Sequence, residues 1–279
     1  MTSKALFMKY TKTAVLLFSA AVILSSCEKV VTIDLHQVNP RLVVEGIVSD
    51  QPGPYTVKLS RTGNYFVPSL VFPPVSGARV VIKDNLGNRD TLRETVTGNY
   101  ETTSLQGAVG RTYSLDVIAD GNEYTATSSI SKKVAIDSLY ALPRQTSRGE
   151  PGYDIWVMFR DPPELGNYYR LNVHVDSLVS QDSIDGRRYR LYSDKLTNGN
   201  EITERVRAGR LVVSGDSVTV DLMSIDKAMY DYFSTLNDVL SSDRAATSLS
   251  PANPNTNLDG GALGYFAAWT TDRRTIILH

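Results

Sequence analysis

The chain has one cysteine and three histidines in 279 residues. A single thiol cannot form an internal disulfide, so folding must rest on a hydrophobic core. The histidines, His36, His174 and His279, are far apart in sequence. Metal centres usually draw several ligands at helical or hairpin spacing, and no H-E-x-x-H is present. The nucleophile elbow G-x-S-x-G and the phosphate-cradling Walker motif are missing as well. Gly260, Gly261 and Gly264 are wrongly spaced for a dinucleotide fingerprint and open no strand–helix unit. Charge of one sign is lacking too: 29 basic and 30 acidic residues give a formal −1, with no basic domain to meet nucleic acid. Long apolar runs are also scarce. The longest, Ala14 to Leu24, is about half of what a bilayer-spanning helix needs.

That short run is nevertheless informative. Lys4, Lys9 and Lys12 precede it with no acid, and Leu24-Ser25-Ser26-Cys27 closes it. A charged region, an apolar region and small residues before a cut make a secretory signal. A cysteine directly after Leu-Ser-Ser resembles the bacterial lipobox, whose thiol is acylated before the leader is removed. The expectation is a signal peptide over residues 1–26, lipidation at Cys27 and a tether over 27–39. Loss of three lysines leaves the mature chain more acidic than the full one.

Beyond the tether, period-two alternation dominates. Arg41 to Val48, Pro54 to Ser60 and Ala78 to Asp84 read as strands, followed by strands near 89–95, 99–104, 111–118 and 123–130. Asn85-Leu86-Gly87-Asn88 and Asp120-Gly121 are hairpin turns, because Asn, Asp and Gly tolerate positive φ. Seven short strands predict an Ig-like antiparallel sandwich over 40–131. Residues 132–149, rich in Pro, Ser, Gly and charge towards their end, read as a linker. A second β-rich domain follows over 150–279, with strands near 153–159, 167–175, 217–222, 264–269 and 274–278 and a polar stretch at 180–200. The period changes once. Ile225, Met229, Tyr232, Phe233, Leu236 and Leu240 recur at three- and four-residue steps, which predicts one amphipathic helix over 224–241 capped by Ser224. The fold class is all-β.

Several residues invite chemistry, each with a plainer reading. His174 could serve a triad, yet it alternates with Val173 and Val175 and reads as a polar-face strand residue. Asp84 to Asn88 lacks the spaced carboxylates of a calcium loop and reads as a turn. Asp161 and Glu164 could act as a glycosidase pair or as a solvated turn. Arg187, Arg188 and Arg190 form a basic spot or a solvated loop. The segment Ser250 to Ala262 is long and amide-rich. Asn253, Asn255 and Asn257, with Tyr265 and Phe266 just behind, are candidate docking residues for a partner or ligand; self-support through Asx-turns is the alternative. Tyr65, Phe66, Tyr168 and Tyr169 could form an aromatic platform or pack in a core.

An ordered series of segments carries a resemblance. It runs through Leu42-Val43-Val44-Glu45-Gly46, Gly77 to Asp84 with Gly87, Thr97-Gly98-Asn99-Tyr100, Gly110 to Leu115, Asp161-Pro162-Pro163, Asn167 to Arg170, Asn253-Pro254 and Gly260-Gly261 with Gly264-Tyr265-Phe266. Together they resemble an uncharacterised lipoprotein family of Bacteroidetes, a domain of unknown function. Gly77 to Tyr100 also resembles carboxypeptidase regulatory-like sandwich domains. The resemblance implies a lipid-anchored outer-membrane protein, often encoded beside a TonB-dependent transporter, and it implies no catalytic residue. The expectation is a non-enzymatic accessory of such a barrel, without cofactor, metal or nucleic acid. The alternative is a stand-alone glycan- or peptide-binding module. Only Glu28 and then Lys29 follow Cys27, where surface-exported lipoproteins tend to carry several acids, so the face of the membrane stays open.

Overall fold

The computed structural model of the chain describes residues 40–63, 72–175, 178–179, 190–206, 210–242 and 253–279. The expected signal peptide and tether, Cys27, Tyr65, Phe66, Arg187, Arg188 and the start of the 250–262 segment lie outside the described residues.

Alternation sets the first strands. In β1 (Leu42–Ser49) Leu42, Val44 and Val48 are buried while their neighbours are not. It pairs antiparallel with β2 (Thr56–Arg61). Next come β3 (Arg79–Asp84), β4 (Arg89–Thr91), β5 (Arg93–Val96), β6 (Asn99–Glu101), β7 (Thr112–Ala119) and β8 (Asn122–Ser129). Strands β4-β3-β7-β8 make one sheet, and β1, β2, β6 and β5 belong to the other. Val44, Val57, Leu59, Val80, Ile82, Tyr100, Tyr113, Leu115 and Val117 fill the core they share.

The later strands are β9 (Ile136–Gln145), β10 (Pro151–Arg160), β11 (Tyr168–Val175), β12 (Leu178–Val179), β13 (Arg190–Ser193), β14 (Glu201–Val206), β15 (Ser217–Ile225) and β16 (Leu263–Ile277). The sheet β14-β10-β9 faces β11 and β15 across a second core of Ile136, Ile155, Val157, Phe159, Leu171, Val173, Val220 and Leu222. The all-β expectation therefore holds, with one helix, α1 (Lys227–Ser242).

Three expectations change. First, 132–149 is not a linker: β9 runs through it and pairs with β10 from Pro151↔Gln145 to Phe159↔Ile136. Pro143 lies within this strand. Tyr153 N–H, however, bonds to Val212 O, away from β9, so Pro143 sits where its nitrogen faces the free edge and no ladder bond is lost. Second, the expected strands 264–269 and 274–278 are one strand. β16 runs parallel to β1 over Leu263 to Trp269, then antiparallel to β15 over Thr270 to Ile277. It gives Phe266 and Ala268 to the first core, so the sandwich drawn at 40–131 is completed by residues more than a hundred positions away. Gly264 permits this approach. Its φ is +91°, and a Cβ there would lie 2.0 Å from Val44 O. Third, Ser224 does not cap the helix. The chain stays extended through Ile225, and Asp226 caps instead, its Oδ1 accepting Met229 N–H at 2.9 Å. Met229, Tyr232 and Phe233 pack on Met223, Ile225, Ala267 and Trp269.

Candidate functional site

The candidate docking residues separate into two kinds. Asn257 is committed inward: its Nδ2 donates to Thr127 O at 3.0 Å and Phe266 O at 2.7 Å, and its Oδ1 accepts Phe266 N–H at 3.1 Å. Phe266 is buried in the first core, and Tyr265 packs against Tyr232 and Phe233 of α1. These three fasten the segment, with Leu258 buried beside them. Their described contacts are those of anchoring residues, and the Asn257 side-chain amide has both its nitrogen and its oxygen engaged within the fold. Asn253 and Asn255 are exposed; Asn255 N–H bonds to Thr235 Oγ1 at 2.9 Å.

His174 does share a face with Asn172, and on that face it meets Asp221. Its Nε2 lies 3.0 Å from Asp221 Oδ2, while Arg273 grips the same carboxylate with Nε at 2.6 Å and Nη2 at 2.8 Å. Asp221 and Arg273 are register partners across β15 and β16. The adjacent hydroxyls, Thr219 and Thr275, bond to each other at 2.7 Å rather than to the imidazole. The cluster is thus a cross-strand tie in which the carboxylate is already satisfied.

The other carboxylates are engaged in the same way. Asp84 closes the β3–β4 turn, accepting Leu86 and Asn88 N–H, Asn88 Nδ2 and Arg111 Nη1. Burial alone would push its carboxyl up; the Asn88 amide, the turn N–H groups and Arg111 outweigh that and hold it below the usual range. Asp90 accepts N–H from Thr103, Ser104 and Leu105 at 2.7–2.8 Å, and Thr103 Oγ1 at 2.9 Å. Burial opposes its ionisation too, and those donors again win. Asp161 is buried and accepts Tyr169 O–H and Gly199 N–H, so it is no solvated acid of a pair with Glu164. Burial first, then Asp161, pushes the Tyr169 phenol far above its ordinary value. Tyr169 is core, and Tyr168 lies half-buried against Tyr230, so neither forms an open platform. Among the described residues no cluster of three His, Cys, Asp or Glu side chains could hold a metal ion.

Two features escaped the sequence reading. A cleft of about 660 Å³ at the β9–β10 hairpin is lined by Pro143, Gln145, Pro151, Tyr153, Val213 and Ser214. On β9, β10 and β14, register aligns Tyr140, Trp156 and Arg205 in one cross-strand row. The alternation around Trp156 was the available signal, but β9 and β14, which flank it, had been missed.

No curated protein matches the chain. A family's sequence profile, in contrast, matches residues 28–275, including every strand of both cores except the last residues of β16. The chain belongs to the family described as the domain of unknown function DUF4249.

Proposed function

We propose that the protein is a non-enzymatic lipoprotein, held at the outer membrane through Cys27 and acting as an accessory of an outer-membrane barrel such as a TonB-dependent transporter. The observation that carries the reading is Leu24-Ser25-Ser26-Cys27 after a lysine-flanked apolar run. Acylation there supplies the membrane affinity that no described helix is long and apolar enough to provide. The state of the acids supports a scaffold rather than a catalyst: Asp84, Asp90, Asp161, Asp194 and Asp221 each accept bonds from their own fold. A Bacteroidetes source, and the regulatory-like sandwich character of Gly77 to Tyr100, fit the same reading.

Cys27→Ala tests it. The variant should lose fatty-acid labelling and leave the membrane fraction; unchanged labelling and partition would sink the anchor. Recovery of a barrel protein with the wild type from mild detergent supports the accessory role. A second reading, a glycan- or peptide-binding module, is favoured by the proline- and tyrosine-lined cleft and the Trp156 row. Retention on a glycan or peptide column without a barrel partner would decide for it.

A further inference from the structure

Two leucines stand almost fully in solvent. Leu165 is 78% exposed and Leu196 is 96% exposed, the two largest values among the exposed large apolar side chains of the described residues. Isolated surface leucines are ordinary. These two, however, ride on loops that are zipped together. Asp194 Oδ2 accepts Gly166 N–H at 2.5 Å and Asn167 N–H at 2.9 Å, and its own N–H donates to Asn167 O at 3.1 Å. Asn198 Nδ2 donates to Pro163 O at 3.0 Å. Asp161 Oδ2 accepts Gly199 N–H, and Asp161 N–H donates to Asn200 O, both at 3.0 Å. Two buried aspartates thus build a firm crest from 161–167 and 194–200, which displays Pro163, Leu165 and Leu196 to solvent. A leucine held at such a crest gives up little conformational freedom when it enters another phase.

We propose that this crest is a second membrane contact, whose leucines dip into the lipid interface while nearby lysines meet anionic headgroups. The proposal rests on the reading that Cys27 carries lipid. Lys132 meets Glu164 in a pair that is long, 3.9 Å, and highly exposed, and Lys195 is exposed beside Leu196, so both lysines can turn to a surface. Arg160 and Glu201 nearby pair with each other at 3.5 Å. Asp161 and Asp194 turn inward. The apolar area is too small for a stable protein interface, which needs about 800 Å² per partner. It suits interfacial insertion, where one acyl signal becomes firm through a second.

Tether length permits the contact. β1 and its flanking residues carry the chain from Pro40 to Asp50, about 33 Å at strand rise. Asp50 pairs with Lys133 at 2.8 Å, next to the Lys132 that meets Glu164. Residues 27–39 span up to about 43 Å when extended, more than that run. The tether can therefore cover the length of β1, at whose end the Lys133 and Lys132 pairs lead on to the crest.

The test uses the chain from residue 27 with Cys27→Ser, so that acylation plays no part. Vesicles of phosphatidylethanolamine and phosphatidylglycerol are the probe. The parent should co-sediment with them, and Leu165→Ser/Leu196→Ser should bind at least fivefold less at an unchanged urea midpoint. Leu196→Trp should show a blue-shifted emission component when vesicles are added. No co-sedimentation of the parent, equal binding by the double variant, or no change in emission would each overturn the proposal. So would vesicle binding that survives the double variant while barrel recovery is lost, since the crest would then be a protein contact. The labelling of wild type against Cys27→Ala reads the anchor separately.

Discussion

At the residue scale, the first sandwich depends on acids used as main-chain acceptors. Asp90 fixes Thr103, Ser104 and Leu105 with one carboxylate. Asp90→Ala leaves three N–H groups without that partner, and a loss of about 3 kcal/mol is expected in urea unfolding. The pH dependence has a definite sign. Asp84 and Asp90 are held below the usual carboxylate range in the fold, so the unfolded chain binds their protons more tightly. Their contribution is complete above about pH 4, the unfolded value, and is lost as pH falls through the folded values. Asp90→Asn should flatten the fall of the urea midpoint between pH 5 and pH 3; an unchanged slope would remove Asp90 from that account. Asn257 was legible as an amide in a long segment, but its three partners were not, because Thr127 and Phe266 come close only after β8 and β16 fold. Asn257→Ala should cost about 2 kcal/mol and leave partner recovery unchanged.

At the scale of elements, what was readable was whatever buries one face by a local rule. β1, β7 and β8 alternate cleanly, β3 carries the apolar run Val80-Val81-Ile82, and α1 announces itself through Met229, Tyr232 and Phe233. β9 and β14 were missed because half of each strand faces outward and carries Arg, Glu, Gln or Pro. β16 was split because Thr270 to Arg273 look like a turn; in the sheet Thr270, Thr271, Asp272 and Arg273 simply continue the ladder against β15. The helix gives a direct test of packing. Phe233 is 2% exposed and lies against Arg170, Tyr232 and Tyr265. Phe233→Asp places a carboxylate in that seam, and a loss of about 3 kcal/mol or more is expected, with α1 detached in hydrogen exchange. Full stability of that variant would mean the seam is not what holds the helix.

At the scale of the whole molecule, β16 decides how the two sandwiches behave. Reading along the chain suggested two domains joined by a linker, since each core draws on its own run of strands. A single 15-residue strand nevertheless serves both, with Phe266 and Ala268 in one core and the ladder to β15 framing the other. Ser128 Oγ also donates to Asp226 at 2.5 Å and accepts Ala268 N–H at 2.8 Å, tying β8 to the helix cap and to the shared strand. Removing either core would leave half of β16 unpaired, so the two should unfold together. The two tryptophans make this measurable: Trp156 is on β10 and Trp269 on β16, and β1 to β8 hold none. Leu115→Ala, fully within the first core, should lower stability by about 2–5 kcal/mol. Tryptophan fluorescence and far-ultraviolet circular dichroism should then report the same lowered urea midpoint in a single transition. A tryptophan-reported midpoint that stays at the wild-type value while circular dichroism shows an earlier step would mean that the second sandwich stands without the first, and that the shared strand joins their backbones without coupling their stability.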